Sequence, residues 1–109
     1  MTRTTPLPHE CPETLKMLGD FWILYIIDVM REDEVRFSQL KRQVKGINPV
    51  TLTNRLKKLE AANIIKRDIE TVDKQSVTYC LTAVGKETLP IIDAHYHLAR
   101  ILQTHENNT

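Results

Sequence analysis

Hydrophobic and polar positions along the chain predict a mainly helical domain with a small β-hairpin. Residues 21–30 are apolar on nearly every side of a helix, which is typical of a segment buried against several neighbours. The preceding helix should begin at Cys11-Pro12-Glu13, because proline suits the first helical position, and should end at Gly19. This pattern places the centre of the core in residues 21–30.

Two short helices joined by a glycine turn follow. Residues 35–37 are predicted to form a short edge strand, after which Ser38 should cap a helix that ends near Val44. After the turn, Asn48 is a strong N-cap, and Pro49 occupies the first position of the next helix. A pair of helices joined in this way predicts a helix-turn-helix motif.

The second of these two helices has an apolar stripe and a polar side. Leu52, Leu56 and Leu59 recur at helical spacing and should face the core. The residues expected to face outward are Val50, Thr51, Asn54, Lys57 and Lys58, with Thr53 and Arg55 on the flanks.

The pattern then changes to a hairpin and a final helix. Residues 64–70 and 76–81 are β-rich segments joined by a polar turn. Thr82 should cap a C-terminal helix of about residues 83–104, kinked at Pro90. The predicted fold is therefore a winged helix-turn-helix: mainly α, with a small β-hairpin wing (α+β).

Length and composition favour one cytoplasmic domain. With 109 residues the chain is too short for two domains, and we expect residues 1–9 and 105–109 to be flexible. It has neither an apolar leader nor a stretch approaching the roughly 18 apolar residues of a membrane span, so no membrane association is expected. Two cysteines, Cys11 and Cys80, cannot make a disulfide framework.

Charge is concentrated in the centre of the chain. Residues 36–67 hold nine basic residues and one acidic residue, Glu60, whereas the remainder holds six basic and thirteen acidic residues. A chain with this distribution can present a positive face to a polyanion despite its net charge of +1. A solvated helix face is the simpler interpretation of the charge alone, and the order of elements is what favours a nucleic-acid surface.

Several motifs in this order resemble the HxlR-type transcriptional regulators. The motifs are Cys11-Pro12, Gly-Asp-Phe-Trp at residues 19–22, residues 36–42, residues 46–60, residues 79–85 and Leu89-Pro90. The likeness spans residues 10–102 and implies a relation to the MarR group, bacterial gene regulation by a homodimer, dimer contacts from the first and last helices, and no required cofactor. Phe21 replaces a commonly basic residue and Val50 a frequent lysine, so base preference is not carried over.

The polar side of the second short helix supplies the predicted base-reading residues. The N-terminal half of such a helix meets base edges in the major groove, so Asn48, Val50, Thr51 and Asn54 should read the sequence. Asn54 is the strongest candidate, because its amide can pair bidentately with adenine. Capping alone is the alternative role of Asn48. Contacts to phosphates are predicted for Ser38, Lys41, Arg42, Lys58, Arg67 and Lys74.

Arg55 and Cys11 each have two interpretations. Arg55 suits either a phosphate contact, which we favour, or an ion pair with an acid on the second helix. Cys11 lies at a helix N-terminus, where the helix dipole favours the reactive thiolate, and some HxlR-type regulators use a cysteine there as a redox or electrophile switch. A small, buried and inert thiol is the simpler interpretation of Cys11.

The C-terminal helix predicts a homodimer. It is too apolar for a lone surface helix, although packing within one chain can use the same stripe. A two-fold dimer with two recognition helices should bind double-stranded DNA at an inverted repeat. The predicted interface residues are Leu15, Leu18, Leu89, Ile92, Tyr96, Leu98, Ile101 and Leu102.

Two other function classes are less compatible with the sequence. For an enzyme, His95 and His97 are two apart and face different ways on a helix, so no catalytic or metal-binding residue is predicted. A winged-helix module that binds an acidic protein with its basic face is the stronger alternative. The polar residues Asn48, Thr51 and Asn54 favour base edges, because protein-docking helices usually expose larger apolar anchors. The operator, the sign of regulation and any small-molecule effector are left open.

Overall fold

The elements of the chain follow the predicted winged helix-turn-helix order. A computed structural model describes residues 12–69 and 77–107, with side chains described for 13–69 and 77–104. The elements are α1 (Pro12–Leu18), α2 (Phe21–Val29), β1 (Val35–Arg36), α3 (Phe37–Gln43), α4 (Pro49–Ala61), β2 (Ile65–Ile69), β3 (Val77–Leu81), α5 (Ala83–Lys86) and α6 (Leu89–Asn107). Helices α3 and α4 form the helix-turn-helix, and strands β2 and β3 form the wing.

Some sequence-based predictions concern parts of the chain outside the described residues. They concern Cys11, Lys74 with the turn of the hairpin, and most of the two chain ends that we expect to be flexible. At the C-terminal end, helix α6 continues to Asn107, three residues beyond its predicted end near residue 104.

Helix α2 forms the centre of the core, as its apolar pattern predicts. Ile23, Ile26 and Ile27 are fully buried, and each such side chain stabilises the fold by about 1.5–3 kcal/mol relative to an exposed one. Asp20 begins the helix, since its Oδ1 accepts hydrogen bonds from the backbone N–H groups of Trp22 at 2.9 Å and Ile23 at 3.2 Å. The N-terminus of α2 is therefore fixed by one carboxylate.

The turn between α3 and α4 has the predicted chemistry. Gly46 has a φ of +87°, a left-handed conformation that glycine adopts without steric cost. The Asn48 side chain accepts a hydrogen bond from the backbone N–H of Thr51 at 2.8 Å, and Pro49 occupies the first helical position. The predicted N-cap of α4 is thus confirmed.

The predicted cap of α3 is wrong. Helix α3 begins at Phe37, and the N-cap position is held by Arg36 rather than Ser38. The backbone N–H of Arg36 donates to Oε1 of Gln39 at 2.8 Å, which satisfies a donor at the helix start. Since β1 ends at Arg36, the strand passes directly into the helix, and Ser38 is left as an exposed residue of the first turn.

A three-stranded antiparallel sheet in the order β1-β3-β2 carries the wing. Val35 pairs with Tyr79, which places β1 at the edge of the sheet as predicted. In the hairpin, Arg67 lies opposite Tyr79, and Ile65 lies opposite Leu81. The buried ends of β2 and β3 join the core, and the exposed side of β2 forms the base of the wing.

The predicted single C-terminal helix is two helices. Thr82 does act as a cap, since its Oγ1 accepts the backbone N–H of Gly85 at 2.9 Å, but the helix that it begins ends at Lys86. Helix α6 then starts at Leu89. Pro90 therefore lies in the first turn of α6, where its missing N–H removes no intrahelical hydrogen bond, so the kink predicted at this residue is wrong.

Gly85 lies against the backbone of the segment that joins α4 to β2. A Cβ at this position would be 2.0 Å from the carbonyl oxygen of Ile64. That oxygen cannot easily move, because it also accepts the backbone N–H of Thr82 at 3.0 Å. Gly85→Ala should therefore lower the free energy of unfolding by about 3 kcal/mol, measured by urea denaturation.

Gly19→Ala is the matched control for this prediction. The nearest atom to a Cβ at Gly19 is the Leu15 carbonyl oxygen at 3.3 Å, so only a small adjustment is needed. A Gly85→Ala protein as stable as Gly19→Ala would show that the close contact is not a structural requirement.

Candidate nucleic-acid interface

Helix α4 buries its leucine stripe and exposes its polar side. Leu52, Leu56 and Leu59 are buried, whereas Val50 is 69% exposed and Asn54 is also exposed. Thr51, which was also expected to face outward, is half-buried. The other exposed residues of this side are Asn48, Pro49, Lys57 and Lys58. The predicted division of α4 into a buried and an exposed side is confirmed for these residues.

Asn48 has a structural role on the exposed side of α4. Its side-chain oxygen is occupied by the hydrogen bond from the backbone N–H of Thr51. Only the amide NH₂ of Asn48 therefore stays available to donate to a base or a phosphate.

Arg55 forms an ion pair within the chain. Its Nε lies 2.9 Å from Oδ2 of Asp20, and both side chains are largely shielded from solvent. The second oxygen of the same carboxylate caps α2, so Asp20 connects the N-terminus of α2 to the flank of α4. The structure thus shows the intramolecular ion pair that the sequence allowed for Arg55, and the contact of Arg55 with DNA stays a prediction. The pair holds α4 in position on α2.

Most predicted phosphate contacts lie in exposed positions around α4. Ser38, Lys41 and Arg42 are exposed on α3, and Lys58 is exposed on α4. Lys74 is outside the described residues. Ser38, Lys41, Arg42 and Lys58 thus place exposed positive charge and a hydroxyl donor on the two helices of the helix-turn-helix, which suits a polyanion.

Arg67 lies at the base of the wing with an acidic neighbour. Its Nε is 3.7 Å from Oε1 of Glu60, the acidic residue within the basic stretch, and both side chains stay substantially exposed. Tyr79 lies opposite Arg67 in the hairpin. Burial raises the pKa of the Tyr79 hydroxyl above its ordinary value, so this group stays neutral beside the arginine.

The predicted interface residues fall into two groups. Ile92 is 3% exposed and lies in the core of its own chain, so the prediction that it faces a partner is wrong, whereas Leu89 is half-buried against that core and its place in an interface stays a prediction. The intramolecular packing considered as an alternative accounts for Ile92. Leu18 is half-buried. The predicted residues that stay exposed are Leu15, Tyr96, Leu98, Ile101 and Leu102.

The sequence did not indicate four of the exposed apolar side chains, Phe21, Ile69, Val84 and Ile91. Phe21, at the start of α2, is 65% exposed, and Ile91, on α6, is 45% exposed. Because residues 21–30 are apolar on every side, periodicity could not show which of them faces outward. A groove of about 440 Å³ runs beside Phe21 and is also lined by Leu24, Tyr25 and Tyr96. The apolar surface thus extends from α6 to the start of α2.

The described part of the chain contains neither a cluster of metal ligands nor a helix suited to span a membrane. Within residues 12–69 and 77–107, no three His, Cys, Asp or Glu side chains are grouped so that they could bind a metal ion. Over the same ranges, none of the helices has the length and apolar character needed to cross a bilayer. Cys80, on β3, is a half-buried free thiol.

The fold and this surface define a winged helix-turn-helix protein of the kind that binds DNA through its second helix-turn-helix helix. The sequence model of the HxlR-like helix-turn-helix family matches residues 17–106. The chain belongs to this family, as its motifs predict, and is a transcriptional regulator of the MarR-like winged-helix type.

Similar proteins support this classification. An HTH-type transcriptional regulator of Halalkalibacterium halodurans is 38% identical over 81 residues, covering 73% of this chain and 72% of the relative. A MarR-family transcriptional regulator from Porphyromonas gingivalis W83 has a TM-score of 0.78 and 26% identity, covering 91% of this chain and 97% of that one. The redox regulator HypR in its oxidized form has a TM-score of 0.76 and 26% identity, covering 84% and 94%.

Proposed function

We propose that the protein is a homodimeric regulator that binds double-stranded DNA sequence-specifically, with α4 in the major groove. The observation that carries this proposal is the N-terminal half of α4, where Val50 and Asn54 are exposed while the leucines behind them are buried. The major groove of B-DNA, about 12 Å wide, admits an α-helix. The family's classification as transcriptional regulators agrees with this use of the helix.

Base recognition is assigned to the exposed side chains of α4. The Asn54 amide can form a bidentate pair with adenine, in which its NH₂ group donates to N7 and its carbonyl oxygen accepts from the N6 amino group. Val50 projects a branched apolar group that suits a thymine methyl, and it is more accessible than the half-buried Thr51. Asn48 contributes its free NH₂ group.

Phosphate contacts are assigned to the residues around α4. These are Ser38, Lys41 and Arg42 on α3 and Lys58 on α4, all of which are exposed. To Arg67, at the base of the wing, we assign a contact with a phosphate of the adjoining DNA backbone. The phosphate contact of Lys74 stays a prediction from the sequence. Such contacts set affinity and register and carry little sequence information.

Dimerisation is assigned to the exposed apolar side chains of α6 together with α1. Ile91, Leu98 and Leu102 are spaced by seven and four residues and therefore share one helix face. Leu15 on α1 and Phe21 at the start of α2 extend this apolar surface. A two-fold interface formed by these residues would direct the dimer to an inverted repeat.

Binding to an acidic protein is the alternative use of the same basic face. Positive charge alone suits either partner. We favour DNA because the exposed N-terminal half of α4 is polar apart from Val50, whereas energetically important residues at protein interfaces are enriched in Trp, Tyr and Arg. Binding of an acidic protein with no preference among DNA duplexes would support the alternative.

Asn54→Ala tests the assignment of base recognition. The variant should bind its preferred duplex about 5- to 150-fold more weakly, equivalent to roughly 1–3 kcal/mol, and should lose discrimination at one A·T pair. Fluorescence anisotropy against duplexes with every substitution in the half-site measures both effects. Lys58→Ala is the comparison, because loss of a phosphate contact should weaken all sequences about equally. An Asn54→Ala protein that weakens every duplex equally would contradict a base-reading role.

Cys11 provides the proposed route for redox or electrophile control. It directly precedes α1, outside the described residues, and HypR, which shares this fold, is a redox regulator. Modification near the proposed dimer surface would be expected to alter the separation of the two α4 helices. Thiol labelling and DNA affinity, measured for wild type and Cys11→Ser before and after mild oxidation, separate this role from that of an inert thiol. Unchanged affinity once Cys11 is modified excludes the switch.

A further inference from the structure

Four polar side chains connect the end of α2 to α6. Nη2 of Arg31 lies 3.0 Å from Oδ1 of Asp28 and 2.8 Å from Oδ1 of Asp93. The Arg31 Nε donates to the same Asp28 oxygen at 3.0 Å, and the Tyr96 hydroxyl donates to the other one, Oδ2. Asp28, Arg31, Asp93 and Tyr96 are called the α2–α6 bridge below.

The geometry of the bridge is fixed on both sides. Where α2 ends, the backbone N–H of Arg31 donates to the carbonyl oxygen of Asp28 at 3.1 Å, which holds the two residues together in a turn. On α6, Asp93 and Tyr96 are three residues apart and therefore share a helix face. The hydrogen bond to Asp28 raises the pKa of Tyr96, so its hydroxyl stays protonated and continues to donate at neutral pH.

Apolar packing holds α6 only at its beginning. Ile92 is buried in the core, but none of the side chains described over residues 93–104 is buried, and only Ala99 is half-buried. The rest of α6 extends away from the domain. The bridge therefore restrains the tilt of α6 beyond Ile92, because the apolar contacts of Leu89 and Ile92 with the core both lie in the first turn of the helix.

A small change of tilt at the bridge becomes a large displacement at the far end of α6. From Tyr96 to Asn107 the helix extends about 17 Å at 1.5 Å per residue. A change of about 10° at the bridge would displace the end by about 3 Å, which is close to the rise of one base pair, about 3.4 Å. In a dimer held together through α6, this displacement alters the separation of the two α4 helices.

We propose that the α2–α6 bridge determines the half-site spacing that the dimer accepts in its operator. This inference rests on the proposed function, and it assigns to Arg31, Asp28, Asp93 and Tyr96 a positioning role without contact to DNA. The ion pair that reaches α6 ends on Asp93, which is 61% exposed, and such pairs contribute little to stability, so the expected consequence of losing the bridge is a change in spacing specificity more than in folding.

The test uses duplexes with one constant inverted half-site and a spacer that varies by single base pairs. Wild type should prefer one spacer over its neighbours by about tenfold, because a wrong spacing requires deformation of the DNA. Arg31→Met, which keeps the length of the side chain, should reduce this preference to about threefold or less or move the optimum by one base pair. Discrimination within the half-site should not change.

A second variant and a control complete the experiment. The double variant Asp93→Asn, Tyr96→Phe removes the α6 half of the bridge with little change of volume, and it replaces Arg31→Met if that protein does not fold. Lys16→Met is the control, because it removes an ion pair, 3.9 Å from Glu13, that lies within a single helix. The control should keep the spacer profile of wild type.

The possible outcomes separate this inference from the function on which it rests. A flattened or shifted spacer profile in the bridge variants, with wild-type half-site discrimination, supports the inference. A bridge variant that binds more weakly but keeps the wild-type profile overturns it and leaves the proposed function intact, as does a wild-type protein that binds without any spacer preference. A wild-type protein that binds no inverted repeat at any spacing overturns the proposed function itself.

Discussion

The double variant Leu98→Asp, Ile101→Asp should be monomeric and should bind operator DNA about 10²- to 10⁴-fold more weakly than wild type. The two side chains are 52% and 51% exposed, so aspartate at these positions is tolerated by the monomer. It would be unpaired within a two-fold apolar interface, where burying a charge is costly. Linking two half-site contacts through a dimer provides the affinity that a monomer lacks.

Sedimentation equilibrium and anisotropy on one operator duplex measure both parts of this prediction. Gln103→Asp is the matched control, because it adds the same charge at an exposed position of α6 outside the apolar row. The control should stay dimeric and bind normally. A double variant that remains dimeric would place the interface elsewhere. A monomeric variant that binds the operator as tightly as wild type would show that DNA binding does not require a dimer.

Affinity for the operator should fall about 10³- to 10⁵-fold between 50 and 200 mM salt. Four described basic residues per protomer, Lys41, Arg42, Lys58 and Arg67, are assigned to phosphates, which gives about eight contacts in a dimer, within the range of six to ten that produces such a loss. The cause is the release of counterions that DNA holds until the protein's cations neutralise the phosphates.

Single substitutions measure how much each residue contributes to this salt dependence. Lys41→Gln removes two contacts from a dimer and should reduce the slope of log affinity against log salt by about 2. Lys86→Gln, on the exposed surface of α5 and outside the proposed interface, should leave the slope unchanged. Titrations of one duplex at several salt concentrations provide the slopes. A nearly flat response of wild type would contradict phosphate binding by this surface.

Several parts of the fold that depend on neighbouring residues were predictable from the sequence, although the cap of α3 was not. The cap at Asn48, the proline after it and the turn at Gly46 are set by contacts within a few residues, and each is confirmed. The leucine stripe of α4 is likewise a matter of helical period. These local signals were sufficient to predict the helix-turn-helix and its exposed side.

Features that depend on contacts between distant residues were not predictable in the same way. The C-terminal segment forms two helices, the first of which is short, is capped by Thr82 and packs through Gly85 on the backbone of Ile64. A periodic pattern of apolar residues cannot indicate such a contact. The apolar character of Ile92 likewise did not distinguish core from interface.

The candidate site likewise has features that one helix determines and features that depend on contacts between distant residues. The base-facing positions of α4 follow from the helix itself, but the partner of Arg55 depends on how α4 packs against α2. The sequence allowed both a phosphate contact and an ion pair, and the structure shows the ion pair with Asp20. The α2–α6 bridge had no sequence signal beyond the pair Asp28 and Arg31, because its other half lies more than sixty residues away.

Selection of bound duplexes from a random pool, performed with wild type and Asn54→Ala in parallel, tests most directly whether α4 reads DNA. We expect wild type to enrich an inverted repeat with half-site centres about 10 base pairs apart, or a multiple of this, and Asn54→Ala to lose an adenine from each half-site while keeping the symmetry. Failure of wild type to enrich any motif, or the same motif from both proteins, would contradict the assignment of base recognition to the exposed side of this helix.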